Sequence, residues 1–303
     1  MGLTNFPGGV SSMGVPVIGG GQTFFGRYLF VDGNRGSDGN RGLDRDKPFG
    51  TMAKAFDAAE SGDVIIFRGN ITENLTAPAG VFDVTILGAT PRPRHADAHT
   101  GYGGYSAATW KASSQSDPLL TLSQQGWVIG NILFDCPTSD AAINFVRNAS
   151  GGDAERDSSH AAIIGCRFAA GQEAIRITGT ENVFGVLVEG NTFNDLTHAI
   201  VSSGGFAHRW KIRKNTFETN TNHIDVGFVQ SLIEKNAFGT FTTLSLDLTG
   251  GANNMVYKNA MSGDYDTAEG YVAGTDDTWV GNYAMLTTGS ASGDGAINAV
   301  PTS

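Results

Sequence analysis

In the second half of the chain, short apolar runs alternate with polar turns at a near-constant interval. The segments WVIGNIL, AIIGCRF, VLVEGNTF, WKIRKNTF, SLIEKNAF, MVYKNAM and TWVGNYA align on Asn131, Cys166, Asn191, Asn215, Asn236, Asn259 and Asn282. The steps are 35, 25, 24, 21, 23 and 23 residues. Two positions later stand Leu133, Phe168, Phe193, Phe217, Phe238 and Met261. A second short apolar run follows most of these segments: AINFV, AIRIT, AIVSS, HIDVG and LSLDL. A unit of about 23 residues is too short to close a globular core. It suits one coil of a solenoid, with two or three strands of about 4–6 residues and turns between them. Coils of this kind stack about 4.8 Å apart, so equivalent residues form columns. The pattern predicts an inward stack of phenylalanines and a ladder of asparagine amides, interrupted at Cys166. Leucine-rich repeats share the period but need several leucines per unit. Here β-branched residues and glycine take those places, so the prediction is an all-β chain folded as a right-handed parallel β-helix solenoid.

The pattern before the repeat differs. Residues 1–27 show neither helical nor strand periodicity and read as an extended N-terminal arm, ordered only where it lies on another surface. Its apolar residues, Phe6, Pro7, Val10, Met13, Val15 and Pro16, are the candidate contacts. Tyr28 to Gly33 reads as a strand, followed by a loop dense in Gly, Asp and Asn. From Thr51 to Glu60, Met52, Ala55, Phe56 and Ala59 fall on one helical face, with Thr51 as N-cap. A short capping helix over the open end of the solenoid is expected. Residues 28–285 form the predicted β-helix. An excursion at 91–118 carries Arg92, Arg94, His95, His99, Tyr102, Tyr105 and Trp110, and a low-complexity tail runs over 286–303.

Composition narrows the function. The net charge of -10 in 303 residues argues against non-specific nucleic-acid binding, which needs clustered cations. No apolar run reaches membrane-spanning length, and no leader pattern opens the sequence, so a soluble protein made in a cytoplasm is expected. Cys136 and Cys166 lack metal-ligand spacing and read as buried free thiols.

Three constellations bear on chemistry. Glu189, Arg213, Glu234 and Tyr257 form a column read as a structural charge ladder. On the second strand, Asn144, Arg176, Val201, Asp225 and Asp247 point outward. This register stacks Asp225 on Asp247, with His223 and Ser245 two residues before them. Two close carboxylates suit calcium binding or acid–base work on a glycan, and His223 joins them as a candidate. The alternative is a solvated or inter-subunit face. His95-x-Asp97-x-His99 has loose metal-ligand spacing, but Pro91, Pro93 and Gly101 oppose the helix such ligation would use. A basic, aromatic loop that contacts a partner fits that segment better. No metal and no cofactor are expected.

The stretch FVDGNRGSDGNRGLDRDKPFGTMAKAFDAAESGDVIIFRGNITENL resembles the opening of pectate-lyase-like right-handed β-helix proteins, and the N-x-F coils are similar to the same group. The arm GLTNFPGGVSSMGVPV and the segment RPRH…SAATWKA…QGWVIGNILF resemble virion proteins of tailed bacteriophages with this fold. The resemblance implies a structural virion component, a capsid decoration or cement protein. Such a protein is made in the host cytoplasm and held on the capsid surface by its arm. Its implied partners are the major capsid protein and two further copies in a homotrimer, with no nucleic acid and no membrane. The competing reading is a tailspike-type protein that binds or cleaves a glycan. Pectate lyases set calcium-binding aspartates and a basic residue on one face. Asp225 and Asp247 match the acids, but Arg176 lies two coils from Asp225, so no active site transfers and enzymatic activity is not expected.

Overall fold

A computed structural model describes residues 26–89, 108–147, 157–262 and 270–283, with the backbone of Ser11–Ser12, Val15–Pro16, 284–285 and Ala296–Ile297. The chain is a right-handed parallel β-helix with a single helix among the described residues. One sheet stacks ten parallel strands in chain order, from Tyr28–Asp32 through Val64–Arg68, Thr85–Gly88, Val128–Gly130 and onward to Thr278–Val280. A second sheet carries the Phe column, and a branch of it carries the second strand of each coil. In Arg167–Gly179 and Thr192–Ser202 one long strand runs through both parts. A three-stranded sheet of Val183–Phe184, Ala207–His208 and Phe228–Val229 lines a third side. Among the described residues, no helix is long and apolar enough to cross a membrane.

The amide ladder forms from Asn191 to Asn282. Asn215 shows the pattern: its Nδ2 donates to the Val188 carbonyl at 2.9 Å and to Asn236 Oδ1 at 3.1 Å. Its Oδ1 accepts from the backbone N–H and the Nδ2 of Asn191. Each buried amide is thus satisfied by the coils on either side, which is what permits a polar column inside a core. The residue before each ladder position turns the corner with positive φ: Gly190, Lys214, Lys235, Lys258 and Gly281.

The first alignment step needs correction by one residue. Val128–Gly130 pairs with Ala162–Ile164, so Asn131 stands opposite Gly165, and Ile132, not Asn131, stands opposite Cys166. Asn131 takes the left-handed corner, φ 57°, which asparagine tolerates better than most residues. The aromatic column then contains Phe134 in place of Leu133, and Phe134, Phe168, Phe193, Phe217 and Phe238 stack at 4.8–5.1 Å between centroids. Trp110 heads the column. It is buried, pairs in register with Phe134, and its Nε1–H donates to the Glu73 carbonyl. The second correction follows: the excursion ends before Thr109–Lys111, and Trp110 is core, not an exposed interface residue.

The helix spans Met52–Ala58, and Thr51 caps it by accepting from the Lys54 N–H. Glu73 accepts from the Met52 and Ala53 N–H groups at the same end. Phe56 packs edge-on against Trp127 at 5.4 Å, which fixes the helix to the first coils. Cys136 and Cys166 are free and buried, and burial pushes the thiol of Cys166 up to about 12. In the arm, Ser11–Ser12 pairs antiparallel with Val15–Pro16, a short strand pairing the sequence did not signal. Phe6, Pro7, Val10 and Met13 lie outside the described residues, as do residues 90–107 with His95, Asp97, His99, Tyr102 and Tyr105; of Val15 and Pro16 only the backbone is described.

Candidate functional site

The predicted column of the second strand stands in the expected register, but Asn144 and Val201 in it are buried and not open to solvent. Asn144 pairs with Arg176, Arg176 with Val201, Val201 with Asp225, and Asp225 with Asp247. Three residues earlier on the same strands, a second column contains Glu173, His198, Asn222 and Leu244. The two columns interact. Arg176 Nη2 donates to Asp140 Oδ1, and its Nη1 lies 3.3 Å from Glu173 Oε2. His198 acts electrostatically on both Glu173 and Asp225. Glu173, Arg176, His198, Asn222, Asp225 and Asp247 are therefore one polar cluster across four coils.

Its electrostatics are those of a partly desolvated acidic site. Burial raises the Asp225 carboxyl above the ordinary aspartate range, and the neighbouring Asp247 charge adds to this, while His198 opposes it. Burial also raises Glu173, against the pull of Arg176 and His198. Asp247 Oδ1 accepts from the Thr249 N–H at 2.8 Å, which turns its carboxylate toward the following turn. Three buried polar atoms of the cluster have no protein hydrogen-bond partner: Arg176 Nε, His198 Nδ1 and Asn222 Oδ1; Glu173 Oε2 is held in the ion pair with Arg176. Asn222 is only 9% exposed. Unsatisfied polar atoms in such number are uncommon in a folded core.

His223 does not belong to the site. It is fully buried, packed among Phe217, Phe238 and Phe241. Asn220 Nδ2 is 3.0 Å from its Nδ1, and its Nε2 is 3.2 Å from the Gly239 carbonyl. A neutral ring satisfies both contacts, accepting at Nδ1 and donating at Nε2, and burial holds its pKa down to about 4. Strand alternation fails here because the strand bends: His223 and Ile224 both face inward. The same bend brings Glu173, His198 and Asn222 to the carboxylates, a grouping that alternation alone does not reveal.

The charge column on the ten-stranded sheet is structural. Arg213 Nη2 pairs with Glu189 at 2.8 Å, and Lys214 Nζ reaches the same carboxylate at 2.8 Å. These two cations hold Glu189 below the usual carboxylate range. Among the described residues, no three His, Cys, Asp or Glu side chains converge as a metal site would require.

No protein-family description and no curated protein matches the sequence. Among solved structures, the chain is similar to a PL6 alginate lyase bound to a trisaccharide, at 14% identity and a TM-score of 0.45, covering 88% of this chain and 62% of that one. It is also similar to the PL6 alginate lyase AlyGC, at 14% identity and 0.44, covering 85% of this chain and 38% of that one. The Dettilon tailspike protein is similar at 14% identity and 0.29, covering 77% and 56%. The chain thus spans between about two fifths and three fifths of the length of these proteins, and likenesses this distant say nothing of its activity.

Proposed function

We propose that this chain is a β-helix protein of a bacteriophage particle that binds a glycan through the face carrying Glu173, Arg176, His198, Asn222, Asp225 and Asp247. The observation that supports this reading is the set of three buried, unpartnered polar atoms in one cluster with a raised aspartate. Sugar hydroxyls donate and accept at once, so they complement carboxylate acceptors such as Asp225 and Asp247. The placement on a phage particle draws on the resemblance of the arm and of the early coils. An array of immobilised glycans, probed with the wild-type chain and an Asp225→Asn/Asp247→Asn double variant, tests the reading. Binding by the wild type and its loss in the variant are expected; equal binding by both rejects the site.

A second reading, capsid decoration as a homotrimer, is favoured by the outer face of the ten-stranded sheet. There Ile164, Met255 and Val280 are exposed, beside the half-exposed Val128, Leu187 and Leu232. Apolar residues gathered on one sheet face suit an interface core. Under this reading the arm, with Phe6, Pro7, Val10, Met13, Val15 and Pro16, grips the major capsid protein. Deleting residues 1–27 then leaves a folded protein that no longer binds capsids. Light scattering on the isolated chain reads three times 31.7 kDa for the trimer, and a single chain mass rejects it.

A further inference from the structure

We propose that Phe206 is the stacking platform of a carbohydrate subsite completed by Asp225 and Asp247, and that this subsite takes a neutral oligosaccharide and not a polyuronate. The proposal rests on the glycan-binding reading above and names the sugar class it serves.

Phe206 is one of the few large apolar residues left exposed, at 44%. Its backbone is nonetheless held on both sides. The Phe206 N–H donates to Asn182 Oδ1, and its carbonyl accepts from the Val183 N–H. The preceding Gly204 and Gly205 pack so closely on the backbone of Gly179 and Glu181 that an added Cβ would stand 2.6 and 2.5 Å from carbonyl oxygens. The segment therefore presents this ring from a fixed turn.

The ring lies along the solenoid axis over the next coils. A Cβ at Gly227 would be 3.0 Å from its Cδ1, and one at Gly250 would be 3.8 Å from its Cε1. Gly227 follows Asp225 by two residues, and Gly250 follows Asp247 by three. Asp247 is already turned this way by its bond to the Thr249 N–H. An exposed aromatic face and two stacked carboxylates thus share the turns of successive coils. Asn222, three residues before Asp225 on the same strand, adds a buried acceptor without a partner.

The chemistry selects the ligand. An aromatic face is electron-rich and attracts the weakly positive C–H face of a pyranose ring. Carboxylates accept from vicinal hydroxyls through charge-assisted bonds. A uronate would bring further negative charge to Asp225, Asp247, Glu173 and Asp140. The arginine at hand, Arg176, is already committed to Asp140 and Glu173. Arg209, next in sequence to His208, whose ring is tilted against Phe184, reaches Gln230 through its Nε at 3.4 Å. Repulsion is the expected result for a polyanion.

Calorimetry on the full-length chain decides the matter, using a panel of neutral oligosaccharides and a panel of oligouronates. The variants are Phe206→Ala, Phe206→Trp and Asp225→Asn, with thermal melting to confirm folding. The wild type is expected to bind a neutral oligosaccharide and no oligouronate. Phe206→Ala should weaken binding about tenfold, the size of one aromatic stack, and Phe206→Trp should keep it. Unchanged affinity in Phe206→Ala, with loss in Asp225→Asn, overturns the platform and leaves the glycan-binding face standing. Oligouronate binding overturns the sugar class. No binding to either panel by the wild type overturns both the subsite and the broader reading.

Discussion

The same corner of the solenoid is built in two ways. From Asn191 to Asn282 it holds five asparagines, the first four each bonded to the asparagine of the next coil. In the two coils before, Ile132 and Cys166 fill it. The inward position beside the site changes one coil later: Ala142, Ala174 and Ala199, then His223 and Ser245. The later coils repeat at 21–25 residues, while the step from Ile132 to Cys166 is 34. A polar corner is satisfied only if the next coil arrives in register, so it goes with uniform coils. An apolar corner makes no such demand and accompanies a longer insertion. The carboxylate pair lies on the uniform coils, where register is pinned by the amides at one corner and the phenylalanine stack beside them.

Substitutions should separate the two versions of the corner. The largest effect is expected from Phe217→Ala, in the middle of the stack, at about 3–5 kcal/mol in urea unfolding; a change under about 1 kcal/mol contradicts the burial. Asn215→Ala should follow at about 3 kcal/mol, because it orphans the Asn191 N–H and the Val188 carbonyl in a dry core. Cys166→Ala, at the apolar version of the corner, should cost no more than about 1 kcal/mol. Equal losses at the two positions would erase the distinction.

Acid should separate the regions as well. His223 is held neutral with a pKa of about 4, against about 6.5 when unfolded. Its contribution is complete above pH 6.5 and is lost as pH falls toward 4, on the order of 3 kcal/mol in all. His223→Gln should remove that part of the acid sensitivity in a pH series of thermal melts. Cys166→Asn should extend the ladder by one coil. Cys166 Sγ already lies 3.6 Å from the Ile129 carbonyl, the place where Asn191 Nδ2 meets Ile163, and a gain of about 1 kcal/mol is expected. The smallest effect belongs to the site. Asp247→Asn relieves like charges on adjacent coils and should stabilise the fold by about 0.2–1 kcal/mol at neutral pH. Asp225, with its raised pKa, loses stability as pH rises through that value, so the gain should shrink in acid.

The solenoid was legible in the sequence because columns repeat wherever coil length does. The spacing of Asn191 to Asn282 and the stacking of Asp225 on Asp247 both follow from it. The slip at Asn131 arose where glycine, asparagine and apolar residues change places, so that matching asparagines misled. Corners made by Lys214, Lys235 and Lys258 at positive φ leave no glycine signal. A second polar ladder, in which Ser231 N–H donates to Asn254 and Asn254 N–H to Asp277, was missed because its residues differ in type. The candidate site was half legible: the aspartates stood out, while Glu173, His198 and Asn222 join them only through a bend that suspends strand alternation. That bend also turned His223 inward.

The central claim is that this face takes a glycan, and a crystal structure of the full chain with a neutral oligosaccharide tests it most directly. The proposed site places a sugar ring flat on Phe206, with hydroxyls on the carboxylates of Asp225 and Asp247. A sugar bound instead on the outer face of the ten-stranded sheet, or none bound at saturating concentration, would contradict it.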